Sequence, residues 1–382
     1  MNMRGSVAIV GTAESDLGLV APGMSPADLM AQATHRALAN CGLKLSDVDG
    51  VFAAAGQYRV PTLTFCQYMH IQPRYSDATL IGGSSFMAHV LHAMAAINQG
   101  LCDVALIVYG STQRSQGRSK VRRSEVDPYE TPYRPWLPPT AYALAAARYM
   151  HEYGATRENL ADVAVAARDW ALLNPAAWEK KPLTVQQVLD APMICSPLGV
   201  RDCCLVTDGG GAVILTSASR AKHLRQPPAY VLGAGEALSH QNISSMPCLT
   251  KTAAADSGRR AYDMARMGPD DIDVLELYDA FTITPILFLE DLGFCPKGEG
   301  ARFVGNGHIA PGGALPLNTN GGGLSYCHPG MYGLLVLIEA ARQVQGVAGA
   351  RQVTDAHTAL AHGNGGYFSS QCTVILGDQS AL

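Results

Sequence analysis

The feature that most constrains this 382-residue chain is that its plan occurs twice. Residues 27–52 read as an amphipathic helix, a turn at AlaAsnCysGlyLeu, and SerAspValAspGlyValPhe leading into a strand. Residues 258–278 repeat the order: a helix through Met267 and Gly268, then ProAspAspIleAspValLeuGlu and a strand. An Asp-aliphatic-Asp step precedes each apolar run, at Asp47/Asp49 and at Asp271/Asp273. Farther on, Gly82-Gly83 and Gly321-Gly322-Gly323 are each expected to open a helix. One half begins with ValAlaIleValGly (7–11), the other with TyrValLeuGlyAlaGly (230–235). They close on a glycine-rich turn and a strand, GlyGlyGlyAlaValIleLeuThr (209–216) and CysThrValIleLeuGly (372–377).

Strands alternating with helices predict an α/β fold with a largely parallel sheet covered on both faces. Two copies predict two layered halves, 1–225 and 226–382, packed by pseudo-twofold symmetry. The first half is the longer, by an insertion at about 112–198 expected to build a lid or a substrate wall. Apolar residues (48%) supply a large core, and charged residues are only 16%. The net charge of −4 argues against nucleic acid or an anionic membrane as the main partner. Ten cysteines are scattered without a CxxC pair, which argues against a zinc ribbon and reads as reduced cytoplasmic thiols. The start, MNMRGSVAIVGTAES, lacks the apolar core of a signal peptide, and no run approaches 18 apolar residues.

Chemistry-bearing residues concentrate at glycine turns. IleGlyGlySerSerPheMetAlaHisVal (81–90) puts Gly83 and Ser84 at a helix start, whose amides can hold an oxyanion or activate a nucleophile. LeuGluLeuTyrAspAlaPhe (275–281) puts Tyr278 and Asp279 at a strand end, a common ligand position in α/β proteins. AsnThrAsnGlyGlyGlyLeuSerTyrCysHisProGlyMetTyrGly (318–333) gathers Asn320, Ser325, Tyr326, Cys327 and His328, groups able to move protons or attack carbonyls. A third glycine turn, AlaHisGlyAsnGlyGlyTyrPhe (361–368), carries Gly363 and Gly365.

On these residues the chain resembles the thiolase superfamily, in its lipid-transfer-protein and sterol-carrier-protein-X branch. The resemblance spans nearly the whole chain and includes TyrGlyAlaThrArgGluAsnLeuAlaAspValAlaVal (153–165), AsnProAlaAla (174–177), SerProLeu (196–198) and AspGlyGlyGlyAla (208–212). It implies the thiolase fold: two duplicated βαβ-type halves in a five-layered α-β-α-β-α core, with a loop domain inserted in the first half. The departures are as informative. No cysteine lies between Cys66 and Cys102, so the nucleophile's place falls on Gly82-Gly83-Ser84-Ser85. The second thiolase cysteine is matched by Ala361, and the Asn of AsnGluAlaPhe by Tyr278. Only the His of the GlyHisPro motif is kept, as His328.

Without a cysteine, the resemblance points to the thiolase-like aldolases that shorten steroid side chains. It implies retro-aldol cleavage of a β-hydroxyacyl-CoA to a ketone and propionyl-CoA or acetyl-CoA. Tyr278 is then the base and Tyr326 the acid, or the reverse. His328, Asn320 and the glycines Gly83, Gly363 and Gly365 with Ser84 would stabilise the enolate. A tyrosine titrates near 10, and bringing it to 7 takes roughly 4 kcal/mol. His328 and glycine amides are expected to supply part of this, unless proton transfer is concerted. A Schiff-base lysine is disfavoured because thioesters make poor Schiff bases, and no His/Asp/Glu cluster offers a metal site. No cofactor is expected beyond the CoA of the substrate. Arg118, Arg122 and Arg123 are expected to meet its phosphates. The resemblance also implies a homodimer and a small OB-fold/zinc-ribbon partner. The competing readings are a degenerate thiolase or acyltransferase assisted by Ser84 or a histidine, and a non-catalytic lipid- or acyl-CoA-binding scaffold.

Overall fold

A computed structural model describes residues 3–117 and 127–382. In the first half the strands are β1 (Val7–Glu14), β2 (Gly50–Ala53), β3 (Tyr75–Asp77), β4 (Val104–Ser111), a small hairpin β5 (Met193–Cys195) and β6 (Leu198–Gly199), and β7 (Gly209–Ser217). The second half has β8 (Ala229–Leu238), β9 (Val274–Leu277), β10 (Thr358–Gly365) and β11 (Ser370–Gly377). They hydrogen-bond in the order β3-β2-β4-β7-β1-β8-β11-β10-β9. Counted outward from the centre, β1-β7-β4-β2 is repeated by β8-β11-β10-β9. Among the described residues, the strands of the two halves pair through Ala8 opposite Tyr230 and Ile9 opposite Ala229.

Contrary to the largely parallel sheet expected from the sequence, β2–β3, β2–β4 and β9–β10 run parallel and the remaining neighbours antiparallel. Parallel pairing needs a crossover connection, which only some of these strands have. β10 and β11 are joined by the short turn after Gly365 and must oppose one another.

Four helices complete five layers. The outer helix Pro26–Cys41 covers β1, β4 and β7, and its counterpart Ala254–Ala265 covers β8 and β11. The former starts at a capping box, Ser25 accepting from the Asp28 amide while Asp28 accepts from Ser25, with Pro26 in the first turn. It stops at Gly42, whose φ of 79° suits glycine. The inner helices Ser85–Asn98 and Gly333–Gln345 pack against each other and against strands of both halves. Their apolar side chains are accordingly buried on almost every face. No helix among the described residues is long and apolar enough to cross a membrane.

The repeated aspartates have one mechanical task. Asp47 caps the Lys44 amide and Asp271 the Gly268 amide. Asp49 accepts from the amides of Asp103 and Val104, Asp273 from those of His357 and Thr358. Each second aspartate thus ties its strand to the first residue of the neighbouring parallel strand, β4 or β10.

The glycine turns are less alike than expected. Gly82–Ser84 runs straight into the inner helix at Ser85. In the second half the turn Gly322–Tyr326 is separated from the helix start at Gly333 by Cys327–Tyr332. Cys327 is extended (φ −164°) and Pro329 follows, so helix cannot propagate across the gap. The insertion forms the wall behind this turn. Its helix Arg157–Leu172 brings Arg168 Nε to Ser325 Oγ (3.0 Å), and the amides of Trp178 and Glu179 donate to the carbonyls of Tyr326 and Ser325.

Candidate active site

Tyr278 leaves β9 with its amide bonded to the carbonyl of His362 in β10. Its ring packs against Gly83, where any Cβ would overlap the phenol. Gly82 (φ 79°) approaches Gly365, and a Cβ on Gly363 would stand 2.8 Å from Ser84 Cα. Gly333 opens the second inner helix directly against the Gly83 carbonyl. These glycines bring the first half's turn, β10 and the second inner helix into contact around one tyrosine.

This corrects the third glycine turn: Gly363 and Gly365 lie within β10, paired with Cys372 and Ser370, and serve close backbone approach. Ser84 is buried and its hydroxyl is engaged, with Ile81 O at 2.9 Å and Ser370 Oγ at 2.6 Å. It has neither a base nor exposure to act as a nucleophile. Asn320 is likewise committed. Its Oδ1 accepts from the Gly322 amide (2.8 Å) and the Tyr332 hydroxyl (2.7 Å), which leaves it holding the turn.

Tyr278 and His328 do come together, with the phenol oxygen 3.1 Å from Nε2. The same oxygen accepts the amide of Tyr332 at 3.1 Å. Burial pushes the His328 pKa down to about 4, although a hydrogen bond to its own backbone opposes the shift. A neutral ring bonded to its own backbone leaves Nε2 as the lone pair facing Tyr278. The backbone of His328 is clamped by Thr207, which accepts its amide on Oγ1 (3.0 Å) and donates its own amide to the carbonyl (3.2 Å).

The lowered tyrosine pKa that a free phenolate requires is not what this environment supplies. Burial raises Tyr278 well above its usual value and outweighs the Tyr332 amide. A free phenolate at Tyr278 is therefore disfavoured in this setting. The pairing of Tyr278 with Tyr326 is also corrected. Tyr326 donates to Glu14 Oε1 (3.0 Å), and Glu14 is clasped through both oxygens by Arg342 at 2.5 Å. Burial works to raise the Glu14 pKa, but Arg342 and the Tyr326 hydroxyl outweigh it and hold Glu14 below the usual carboxylate range. The tyrosine packed on Tyr278 is Tyr332, ring centroids 5.7 Å apart and nearly perpendicular.

Asp279, fully buried, caps the 322–326 turn by accepting from the amides of Gly323 (2.6 Å) and Leu324 (3.3 Å). Burial raises it to about 7 against those amides. Cys327 stands beside His328 in sequence but is held by Thr207 Oγ1 at 3.1 Å, and burial pushes its thiol up to about 12. A thiolate nucleophile is not available there. Arg118, Arg122 and Arg123 lie outside the described residues. The neighbouring Arg114 stacks on Trp178, 4.6 Å from the ring centroid.

Sequence reasoning missed Tyr332, Glu14, Arg342 and Thr207. Tyr332 had a signal, as the second tyrosine of the same glycine-rich run. Glu14 had none, because its partners are 312 and 328 residues away.

Residues 235–378 match the family described as "Thiolase C-terminal domain-like". Over 372 residues, 91% of this chain and 93% of the relative, the chain is 33% identical to the 17-hydroxy-3-oxo-4-pregnene-20-carboxyl-CoA lyase of Mycobacterium tuberculosis. It is also 33% identical over 369 residues, 91% and 92% of the two chains, to the steroid side-chain-cleaving aldolase of Thermomonospora curvata. The solved structure titled "Ltp2-ChsH2(DUF35) aldolase" superposes with a TM-score of 0.91, covering 100% of both chains at 30% identity.

Proposed function

Because this chain belongs to the thiolase superfamily, in the branch of steroid side-chain-cleaving aldolases, we propose that it cleaves a β-hydroxyacyl-CoA by a retro-aldol reaction. The substrate is a steroid side-chain thioester carrying a tertiary alcohol, and the products are a ketone and propionyl-CoA or acetyl-CoA. The observation that carries this reading is the buried Tyr278–His328 pair, set against a helix start at Gly83 that carries no cysteine. The substrate hydroxyl gives its proton to Tyr278 while the Tyr278 proton passes to Nε2 of His328. The alkoxide electrons form the ketone, the C–C bond breaks, and its electrons move onto the thioester as an enolate. The amide end of the inner helix at Gly83–Ser84, against Tyr278, stabilises the enolate oxygen. His328 then returns its proton through Tyr278 to the enolate carbon. Tyr326, its proton engaged on Glu14, anchors the loop. CoA enters as part of the substrate, and no separate cofactor is invoked.

We further read the enzyme as a cytoplasmic homodimer joined by a small OB-fold/zinc-ribbon partner. All ten cysteines are unpaired, as expected in a reducing compartment. The three-residue strand β3 ends the sheet, and exposed Val60, Leu63 and Tyr68 lie on or beside the helix Pro61–Met69, a suitable surface for a second copy. Tyr129 and Tyr133, more than four-fifths exposed, and the half-exposed Trp136 supply aromatic surface for the other partner.

The test is to incubate the chain, alone and co-expressed with a ChsH2-type protein, with 17-hydroxy-3-oxo-4-pregnene-20-carboxyl-CoA and no free CoA. Ketone release is expected. Release that depends on added CoA would overturn the reading in favour of thiolysis, and binding without turnover would overturn it in favour of a non-catalytic scaffold.

A further inference from the structure

Asp279 is a fully buried carboxyl next to the reacting tyrosine, and the proton path just described does not use it. The groups that ease its ionisation are dipoles: the Gly323 and Leu324 amides, its own backbone and the Asn318 side chain. The His328 ring lies against the same glycine, Gly323. A methyl group on Gly323 would stand 3.0 Å from His328 Cδ2 and 3.1 Å from Asp279 Oδ1. Gly322, at φ 66°, packs directly on the carboxyl, where any Cβ would overlap Oδ2. The turn thus has no side chains between carboxyl and imidazole, and two of its amides point at the carboxyl.

We propose that Asp279 is a positioning residue for this reaction: it orders the 322–326 turn through two amides and, when ionised, stabilises the positive charge His328 acquires from Tyr278. The proposal rests on the retro-aldol reading above. The proton balance is unchanged. The substrate proton moves to Tyr278 and the Tyr278 proton to His328 Nε2; after cleavage His328 returns its proton to Tyr278 as Tyr278 delivers one to the enolate carbon. Asp279 gains no proton and supplies only the counter-charge.

The need is physical. Burial makes His328 a poor proton acceptor, and a buried imidazolium without a partner charge is costly. An ionised carboxylate beside the same glycine, in surroundings of low dielectric, offsets that cost. The other titratable groups facing Asp279 are Cys204, from the 203–207 segment, and Tyr332, ahead of the second inner helix. Both are neutral at working pH, because burial raises each of them. Asp279 itself is raised by burial to about 7, so it changes charge within the working range.

The test is the pH profile of ketone release by the enzyme in its active complex, with 17-hydroxy-3-oxo-4-pregnene-20-carboxyl-CoA and no free CoA. In the unmodified enzyme kcat is expected to rise with pH through an apparent pKa near 7. Asp279→Asn should lower kcat at pH 8 by at least about thirtyfold and abolish that rise. KM should stay within about threefold, because the carboxyl does not touch substrate. Asp279→Glu should restore a pH-dependent limb at a shifted midpoint. A uniform loss in Asp279→Asn with the limb intact would reduce the residue to a structural cap and overturn the proposal. So would a flat profile in the unmodified enzyme, a result that needs no variant to fold. Absence of ketone release at every pH would instead remove the retro-aldol reading itself.

Discussion

Past the end of β2 the first half places Ala54 and Ala55; at the same point past β9 the second half places Tyr278 and Asp279. The equivalence follows from the aspartate clasps, since Asp49 holds Val104 just as Asp273 holds Thr358. The glycine turns differ in the same sense. In the first half the turn becomes helix at once and presents backbone; in the second, the interval Cys327–Tyr332 presents His328 and Tyr332. What the halves share is therefore what holds strands in register. What they do not share is chemistry: one copy carries the side chains, and the other supplies glycine, so that a phenol can lie against a helix start.

The largest effect should come from removing the group that the first half lacks. Tyr278→Phe deletes the hydroxyl bonded to His328 and is expected to cut ketone release by about a thousandfold, within the range for a positioned acid–base group. The thermal midpoint should move little, because the ring and its packing on Gly83 are kept. Retention of a tenth of the activity or more would mean that another residue takes the substrate proton, and the contrast between the halves would lose its catalytic content.

The halves are also joined by an ion pair that no repeat predicts. Glu14 belongs to β1, while Arg342 and Tyr326 belong to the second half. Glu14→Gln leaves the largely buried Arg342 without its hydrogen-bonded carboxylate, and should cost about 3 kcal/mol in urea unfolding. Tyr326→Phe, which removes one hydrogen bond to a charged acceptor, should cost about half as much, roughly 1.5 kcal/mol. The pH sign is set by Glu14, whose folded pKa lies below its usual value. Its stabilisation is fully present above the unfolded value of about 4.3 and is lost as pH falls through the folded one. The difference between Glu14→Gln and the unmodified chain should shrink on acidification below pH 4. A constant difference would mean that shape and not charge joins the halves.

The duplication was legible because its signals are local: the Asp-aliphatic-Asp step before each apolar run and the paired glycine turns farther on. Tyr278 and His328 were legible because they stand inside motifs. Strand direction was not, since alternation of helix and strand does not say which strands return through a crossover and which through a turn. Nor was the partner of Tyr326, because a tyrosine in a glycine-rich run reads the same whether its hydroxyl meets substrate or a glutamate 312 residues away. Gly363 and Gly365 read as a turn from composition alone; only the packing of β10 on Ile81–Ser84 explains glycine inside a strand.

A smaller effect tests whether the repeats are mechanically equal. Asp49→Asn and Asp273→Asn each weaken the hold on the first amides of the next parallel strand, and each should cost about 1 kcal/mol in thermal unfolding. Similar costs would keep the aspartates as a shared structural device. If Asp273→Asn also lowered kcat more than about threefold while Asp49→Asn did not, register in the second half would be part of the catalytic geometry.

The smallest effect is expected where the first half most resembles a nucleophile site. Ser84 stands at the helix start that a thiolase would use for attack, yet its hydroxyl is divided between Ile81 O and Ser370 Oγ. Attack by Ser84 would require breaking both contacts in a fully buried setting, with no base in reach to take the proton. Ser84→Ala should therefore leave ketone release within about threefold, and the lost hydrogen bonds should show as about 1 kcal/mol of stability. Mass spectrometry of the unmodified enzyme after mixing with substrate should detect no acyl adduct on Ser84. An adduct, or a hundredfold loss in Ser84→Ala, would move covalent chemistry into the first half and make the two halves partners in the reaction instead of scaffold and site.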